Sequence, residues 1–387
     1  MPVEKVAIVG AGIAGLVTAL AFARQGIASD VFEQAPELTE VGAGLQVSPN
    51  ASRLLAELGL LSQFEAVWTE PERIALVSGT SLRSLAYVPA GPSARKRWGA
   101  PYGVLHRATL QRVLRDAVEA NPLCTLHLDT PVREEPHAAL SRLTGQAYPL
   151  VVGADGVWSN IRTAIDGSPR PSFSGHVCWR FTIPDRIVPS WLKPDQVTAF
   201  LGPSTHLVAY PLREIGGFNM VAIASGVSPG RTWHAEANES QKSRLYGEFR
   251  RWDRRIVDLL QRADQPTFWP LFEVGTGRWQ NGRDTVLVGD AAHAITPFAA
   301  QGASMAIEDA FTLARCVSEG KNLSQALIAY ETNRQERVAK VRSRGAFNRF
   351  AYHARGPVRL GRDLVLSLRP PEALAADLDW LYGYKGS

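Results

Sequence analysis

The sequence predicts an α/β fold with a doubly wound parallel sheet, a second domain built on a mixed or antiparallel β-sheet, and a helical C-terminus. Strand-like and helix-like segments alternate from residue 3 to about residue 59 and again from 101 to 165, which is typical of βαβ units. Short β-prone runs divided by proline and glycine occupy residues 170–275, and residues 303–344 are polar and helical in pattern. The 387 residues exceed what one hydrophobic core usually supports, which favours about two domains.

Domain boundaries are placed where this pattern of predicted strands and helices changes. We predict a discontinuous first domain from residues 1–72, 100–168 and 276–345, a second, β-sheet domain from 73–99 and 169–275, and a C-terminal helical extension from 346–387. Within the first domain, Ser48 and Pro49 are typical of a helix start, and Thr109 is a candidate N-cap for a helix over 110–119.

Composition excludes several classes of protein. The chain is 45% hydrophobic and 20% charged, as expected of a soluble globular protein. No apolar run reaches the roughly 18 residues of a membrane span, and the N-terminus begins with a strand-like run instead of a signal peptide, so we expect a cytoplasmic protein. The three cysteines are odd in number and far apart, which predicts neither a disulfide framework nor a metal site.

The formal charge of +5 is unevenly distributed. Residues 337–369 contain nine arginines and lysines against one acid, Asp363. Such a segment could meet a membrane surface, nucleic acid or a partner subunit, and a homodimer is one possibility. Because it has no clean apolar face, the favoured interpretation is solvated helix faces that also pack on the first domain; nucleic-acid binding is not predicted.

The glycine-rich motif GAGIAG lies between a strand-like run, KVAIV, and a helix-like stretch. Gly10 permits a tight turn, Gly12 lets a pyrophosphate approach the backbone, and Gly15, which follows Ala14, lets the helix pack closely on the strand. Glu33 ends the next strand-like run, eighteen residues past Gly15, where a carboxylate can accept hydrogen bonds from a ribose diol. Strand, turn, helix and carboxylate together indicate a dinucleotide site.

Two further motifs are suited to other parts of the same ligand. GADG contains Asp155, and VGDAAH contains Asp290; each follows a strand-like run. With the first motif they indicate FAD. A second glycine motif of this kind, for a nicotinamide dinucleotide, is absent from the sequence.

The chain resembles the single-component, class A flavoprotein aromatic hydroxylases, in the branch that contains salicylate hydroxylase, 3-hydroxybenzoate 6-hydroxylase and 6-hydroxynicotinate 3-monooxygenase. The resemblance runs from residue 5 to about 337 and rests on seven blocks in order: GAGIAG, VFEQAP, VGAGLQVSPNA, LHRATL, VVGADGVWSNIR, HLVAYP and VLVGDAAHAITPFAAQGASMAIEDA. It implies a Rossmann-like FAD-binding domain and an FAD-dependent monooxygenase that hydroxylates a small phenolic or N-heteroaromatic acid with O2.

The resemblance also implies roles for cofactor-binding residues. Arg107, in LHRATL, matches an arginine along the ribityl and pyrophosphate region, where a planar cation suits phosphate oxygens. Asp155 matches a position that touches both the FAD side and the path of the nicotinamide cofactor, and Asp290 matches the carboxylate that accepts a hydrogen bond from a ribityl hydroxyl. NADH or NADPH then docks only transiently, and NADH is favoured by analogy with the branch.

The segment TPFAAQGASMAIEDA carries the chemistry that the resemblance implies. Gln301, Gly302 and Ala303 lie at a predicted loop-to-helix junction, where backbone N–H groups and the helix dipole can stabilise negative charge on the reduced flavin. Pro297 matches the proline whose carbonyl lies near where a flavin C4a-hydroperoxide forms. Glu308 and Asp309, further along, are expected to make surface or first-domain contacts.

Substrate activation is assigned to HLVAYP. His206 and Tyr210 match a His-x-x-x-Tyr pair of the substrate pocket, and at this spacing on a strand they share one face. The histidine can accept a phenolic proton near neutral pH, and the tyrosine can relay it. Gln46 matches a pocket position that is histidine in the hydroxynicotinate enzyme; an amide can hydrogen-bond substrate or flavin but cannot act as a base.

Three alternative functions stay open. The first two are other enzymes on the same fold: a flavin-dependent reductase or dehydrogenase, and a halogenase. Flavin halogenases of this fold carry W-x-W-x-I-P and a nearby lysine, which CWRFTIP lacks. The third is a non-enzymatic flavin-binding partner protein, suggested only by the basic C-terminal segment.

Overall fold

The computed structural model describes residues 3–38, 44–133, 135–228, 230, 235–263 and 265–386, without the side chains of 235 and 236. In chain order the strands are β1 Lys5–Val9, β2 Ala28–Phe32, β3 Gly44–Val47, β4 Arg73–Ser78, β5 Ser84–Pro89, β6 Gly103–His106, β7 Cys124–His127, β8 Val151–Gly153, β9 Pro171–Pro184, β10 Gln196–Gly202, β11 Thr205–Leu212, β12 Gly217–Ser225, β13 Ala235–Glu236, β14 Thr267–Val274 and β15 Thr285–Leu287.

The helices follow the same order along the described chain. They are α1 Ile13–Arg24, α2 Pro49–Glu57, α3 Leu61–Glu65, α4 Pro92–Trp98, α5 Arg107–Glu119, α6 Pro136–Thr144, α7 Glu239–Phe249, α8 Arg254–Gln261, α9 Asp290–His293, α10 Gly302–Glu319, α11 Leu323–Tyr352, α12 Gly356–Leu368, α13 Pro371–Ala376 and α14 Asp379–Tyr382. Short 3₁₀ turns cover Ile161–Ala164, Asp185–Ile187, Arg213–Ile215 and Pro297–Ala299.

Five parallel strands form the first sheet, in the order β15-β8-β1-β2-β7. The chain starts in the centre with β1, winds outward through β2 and β7, and returns to the other side through β8 and β15. The order reverses between β1 and β8, so the crevice at the carboxyl ends of these two strands is the expected ligand position. Val6, Ala7 and Ile8 are fully buried, as in a sheet covered on both faces.

The second sheet is larger and mixed. Its order is β13-β14-β9-β12-β11-β10-β4-β5, antiparallel except for the pairing of β10 with β4. Side chains alternate along its strands: one face, including Trp179, Leu207 and Met220, packs with the residues of α7 and α8 in a single apolar cluster. The residues that alternate with these along each strand point to the opposite face, toward the first sheet. The predicted fold class is confirmed.

The C-terminal helices pack against the rest of the described structure. Helix α11 packs on α10 and on the 3₁₀ turn Pro297–Ala299, while α12 and α13 pack on β5. Helix α11 continues without a break through residue 346, where the C-terminal extension was predicted to start. No helix among the described residues is long and apolar enough to cross a membrane.

One predicted helix start is wrong. Helix α5 begins at Arg107, and its N-cap is His106, whose Nδ1 accepts a hydrogen bond from the backbone N–H of Ala108. The side chain of Thr109 therefore lies inside the first turn. A histidine ring nitrogen can replace the usual serine or aspartate cap, which composition-based rules favour.

Candidate active site

Two cavities meet at the carboxyl ends of β1 and β8. The first, of about 300 Å³, lies between the two sheets. The second, of about 630 Å³, extends over the end of β2. Residues that line both are Gly12, Arg107, Ala154, Gly156 and Asp290. The three sequence motifs therefore meet where the two cavities join.

The glycine motif forms a tight turn between β1 and α1. Gly10 has φ +104°, and a Cβ there would lie 2.5 Å from the carbonyl oxygen of Ala154. A Cβ at Gly15 would lie only 1.8 Å from the carbonyl oxygen of Gly10, so only glycine lets α1 pack this closely. A Cβ at Gly12 would meet no atom within 4 Å, because this residue faces the open junction of the cavities. Ala14, in the first turn of α1, lines the first cavity.

Glu33 lies in the second cavity, at the end of β2. Its Oε2 accepts a hydrogen bond from the backbone N–H of Ala11 at 2.8 Å, and its Oε1 accepts one from Ala35 at 2.9 Å. These two bonds fix the carboxylate beside the glycine turn. Each oxygen keeps a second lone pair, which is what a ribose diol requires.

The charged residues at the junction come from the starts of helices and turns. Arg107 begins α5, and Asp290 begins α9. Asp155 lines only the second cavity. Its Oδ2 accepts hydrogen bonds from the backbone N–H groups of Asn160 and Ile161 at 2.7 and 3.2 Å. Burial raises the pKa of Asp155, although these bonds oppose the increase. Its carboxylate thus supports the turn that shapes the cavity.

The start of α10 and the turn before it line the first cavity through Pro297, Gln301, Gly302 and Ala303. The side chain of Gln301 is buried: its Nε2 donates to Ser48 Oγ at 3.0 Å, and its Oε1 accepts from Asn50 Nδ2 at 3.1 Å. Because the side chain is occupied in this way, it is the backbone N–H groups of the first helical turn that remain available to a ligand.

These features fit FAD. The glycine turn leaves open space only where a pyrophosphate would approach, a fixed carboxylate stands at the end of β2, and a helix N-terminus faces the first cavity. The paired cavities suit a long ligand with its adenosine in the second and its flavin in the first.

The remaining wall of the first cavity belongs to the second sheet. His206 and Tyr210 of β11 both line it, so they share one face as predicted. His206 is 2% exposed, and its Nδ1 lies 2.8 Å from Nε2 of His353. Burial, together with the neighbouring His353 and His176, holds the pKa of His206 well below its usual value. Burial raises the pKa of Tyr210, so both side chains are neutral near pH 7.

Gln46, on β3, also lines the first cavity. Its Oε1 accepts a short hydrogen bond from the hydroxyl of Tyr102. The amide group of Gln46 is thereby oriented with its NH2 as the part left to contact a ligand.

Two residues of the site were missed by the sequence analysis. Arg180 of β9 lines the first cavity with its guanidinium 5.1 Å from the ring centre of Trp269, and its Nε has no hydrogen-bond partner among the described residues. His353 reaches His206 from the end of α11. Strand alternation in CWRFTIP could have placed Arg180 opposite Trp179, but no local pattern brings His353 to β11.

Glu308 and Asp309 make first-domain contacts, and the surface alternative is wrong because both are buried. Arg334 donates to Glu308 Oε2 and Asp309 Oδ1, each at 2.7 Å. Asp309 Oδ2 also accepts from the backbone N–H of Gly289 at 2.9 Å, next to Asp290. Burial raises the pKa of Asp309, but His293 and Arg334 lower it by more, so the pKa falls to about 2. This network ties α10 and α11 to the loop that presents Asp290.

Comparison with known proteins gives a consistent result. The chain matches a family model described as FAD binding domain over residues 4–344. It is 33% identical to 3-hydroxybenzoate 6-hydroxylase 1 of Aquipseudomonas alcaligenes, covering 98% of both chains. It is 34% identical to 3-amino-4-hydroxybenzoate 2-monooxygenase of Streptomyces cremeus, covering 98% of this chain and 95% of that one. The structure of Klebsiella pneumoniae HpxO complexed with FAD and uric acid has a similar fold, with a TM-score of 0.80 at 23% identity over 98% of this chain and 96% of that one.

Proposed function

Because this chain belongs to the FAD binding domain family, we propose that it hydroxylates a small phenolic or N-heteroaromatic acid, with NADH or NADPH as electron donor and O2 as oxidant. The predicted resemblance, the FAD cofactor and the activity class, an aromatic-ring monooxygenase, are confirmed by the family match and the relatives. The relatives support this class over the reductase, halogenase and flavin-binding partner alternatives.

FAD would be held along both cavities by the residues that line them. Glu33 would accept the ribose hydroxyls, the turn from Gly10 to Gly15 and Arg107 would contact the pyrophosphate, and Asp290 would accept from the ribityl chain. The N-terminus of α10 would face the flavin ring. FAD reduced by the nicotinamide cofactor supplies the activation of O2, and the protein residues bind and orient the aromatic ring.

Arg180 is the observation that supports an acidic substrate. Among the described residues that line the first cavity, Asp290 is the only carboxylate, and it lies at the junction with the second cavity. Arg180 therefore brings positive charge to the substrate end without an acidic side chain beside it. Its planar guanidinium, which lies over the ring of Trp269, is suited to a bidentate contact with a ring carboxylate.

His206 and Tyr210 would act on the phenolic group. A neutral imidazole accepts a proton, and the depressed pKa of His206 keeps it neutral at physiological pH. Tyr210, whose pKa is raised, stays protonated and donates a hydrogen bond to the oxygen that develops negative charge. An ionised phenol is more electron-rich, which electrophilic oxygen transfer requires.

The test is NAD(P)H-dependent oxygen uptake, with product identification, on matched pairs such as 3-hydroxybenzoate and 3-hydroxybenzamide. We expect Arg180→Met to raise KM for the acid by about 10- to 150-fold, the equivalent of a lost charge-assisted hydrogen bond of about 1.5–3 kcal/mol, and to change KM for the amide little. Arg254→Met, which removes an exposed arginine of α8, is the control. An equal rise in KM for the acid and for the amide would show that Arg180 does not bind the carboxylate.

A further inference from the structure

His353 lies at the end of α11 and contacts His206 in the wall of the first cavity. We propose that His353 is a positioning and relay residue that acts through His206: it fixes the tautomer of His206 and carries the phenolic proton from the buried cavity to solvent. This inference rests on the proposed hydroxylation of a phenol.

The geometry offers a route for the proton through His206 and His353. His206 is 2% exposed, and the rings of Phe298 and Tyr352 lie against it, each with its centre 5.3 Å from that of the imidazole. Its Nδ1 is 2.8 Å from Nε2 of His353, and its side chain lines the first cavity. His353 is half-buried whereas His206 is buried, so the pair runs from the interior toward the surface.

The backbone holds His353 in this place. Its carbonyl oxygen accepts from the N–H of Ser204, in the turn between β10 and β11, at 3.1 Å. Its own N–H donates to the carbonyl oxygen of Arg349 at 3.0 Å. The end of α11 is therefore fixed to the strand that carries His206.

The hydrogen bond between the two rings decides whether His206 can act as a base. Two neutral imidazoles can share only one proton along this bond. If Nδ1 of His206 donates to Nε2 of His353, then Nε2 of His206 is unprotonated and can accept from the substrate. The opposite arrangement would leave a proton on Nε2 of His206 and abolish base function.

Proton transfer along this pair balances. The phenolic O–H bond breaks and its proton goes to Nε2 of His206, the proton on Nδ1 of His206 goes to Nε2 of His353, and the proton on Nδ1 of His353 goes to water. No electrons move between the groups. When the product phenolate is reprotonated, the same steps run in reverse and restore both tautomers.

The charges around the pair favour release of the proton over its storage. The groups near the two rings are the His176 imidazole and, around His353, Arg349 and Arg355, together with the phenol of Tyr352 against His206. Burial, together with His176, Arg349 and Arg355, lowers the pKa of His353 to about 3. Both lowered pKa values favour passing a proton that reaches His206 onward over holding it on either ring.

The experiment separates a relay from a structural support. Binding of 3-hydroxybenzoate to the FAD-loaded enzyme is followed by ultraviolet difference absorbance, which reports phenolate formation, and turnover is measured over a range of pH. We expect His353→Ala to keep its FAD and KM, to slow the proton-dependent step about tenfold or more at pH 7, and to recover with added imidazole. His353→Gln, whose amide oxygen can still accept from His206 Nδ1 but cannot pass on a proton, should stay slow.

The control is His137→Gln, which changes a histidine of α6 that lines neither cavity and should keep the wild-type rate. Wild-type rate and pH profile in His353→Ala, or full recovery in His353→Gln, would overturn the relay. Failure of the wild-type enzyme to hydroxylate any phenolic acid would instead overturn the proposed function, and the relay with it.

Discussion

Two glycines of the turn after β1 have opposite surroundings. Replacing each of them with alanine therefore tests folding and FAD binding separately. At Gly15 the new Cβ would lie 1.8 Å from the Gly10 carbonyl oxygen, whereas ordinary contacts begin near 3.4 Å. Helix α1 would have to move by more than an ångström from the turn. Overpacking of this kind costs about 1–3 kcal/mol, and the better helix propensity of alanine offsets about 1 kcal/mol. Because the Cβ would overlap backbone rather than a flexible side chain, we take the upper end and expect Gly15→Ala to lower the free energy of unfolding of the apoprotein by about 2 kcal/mol.

At Gly12 the backbone has φ −70°, which any residue adopts, and no atom lies within 4 Å of the new Cβ. The apoprotein of Gly12→Ala should keep its stability within about 0.5 kcal/mol. Its added methyl group occupies the space through which a pyrophosphate reaches the backbone, so we expect the Kd for FAD to rise about tenfold or more, as for a lost charge-assisted hydrogen bond of at least about 1.5 kcal/mol.

Urea unfolding of the apoproteins and fluorescence titration with FAD measure the two effects. Gly247→Ala, in α7 and with open space at its Cβ, is the control; it should gain up to about 1 kcal/mol and bind FAD normally. Unchanged FAD affinity in Gly12→Ala, or wild-type stability in the Gly15→Ala apoprotein, would refute these roles for the two glycines.

Two further predictions concern the residues behind the turn. Asp290→Ala should lose most of its FAD, with Kd at least about tenfold higher, while Asp290→Asn keeps part of the affinity through its amide oxygen; equal FAD content in purified wild type and Asp290→Ala would contradict this. Arg334→Met should lower the free energy of unfolding by about 3–5 kcal/mol because it leaves Glu308 and Asp309 buried with less positive charge. The folded pKa of Asp309 lies at about 2 against an ordinary 3.8, so its contribution is complete above about pH 4 and is lost as the pH falls toward 2. Arg334→Met should reduce this loss of unfolding free energy at acidic pH, measured by urea unfolding at several pH values. An unchanged dependence of the free energy of unfolding on pH would contradict the network.

Local patterns were sufficient to predict that the glycine turn, Glu33 and Asp290 lie at one edge of the first sheet, where they line the two cavities. The glycine turn, Glu33 and Asp290 each follow a strand, and the carboxyl ends of parallel strands meet at one edge of a sheet. Period-two alternation also placed His206 and Tyr210 on one face of β11, and the structure puts both in the first cavity. These predictions needed only neighbours close in sequence, together with the resemblance.

The parts that sequence analysis missed depend on contacts between distant segments. His353 meets His206 across 147 residues, through a helix whose register against β11 no motif encodes. For Glu308 and Asp309 the sequence could not decide between surface and first-domain contacts, because their partner, Arg334, is on another helix. The helix start at Arg107 was missed because a histidine ring replaces the usual cap. The predicted domain boundaries and the roles of the individual site residues remain predictions.

The most direct test of the proposed hydroxylation is turnover under ¹⁸O2 with NADH or NADPH and a panel of phenolic and hydroxypyridine acids, followed by mass spectrometry of the product. We predict that one ¹⁸O atom enters each product molecule and that one molecule of reduced nicotinamide is consumed per hydroxylation. Products without the label, or consumption of the nicotinamide cofactor that yields only hydrogen peroxide with every acid in the panel, would contradict it.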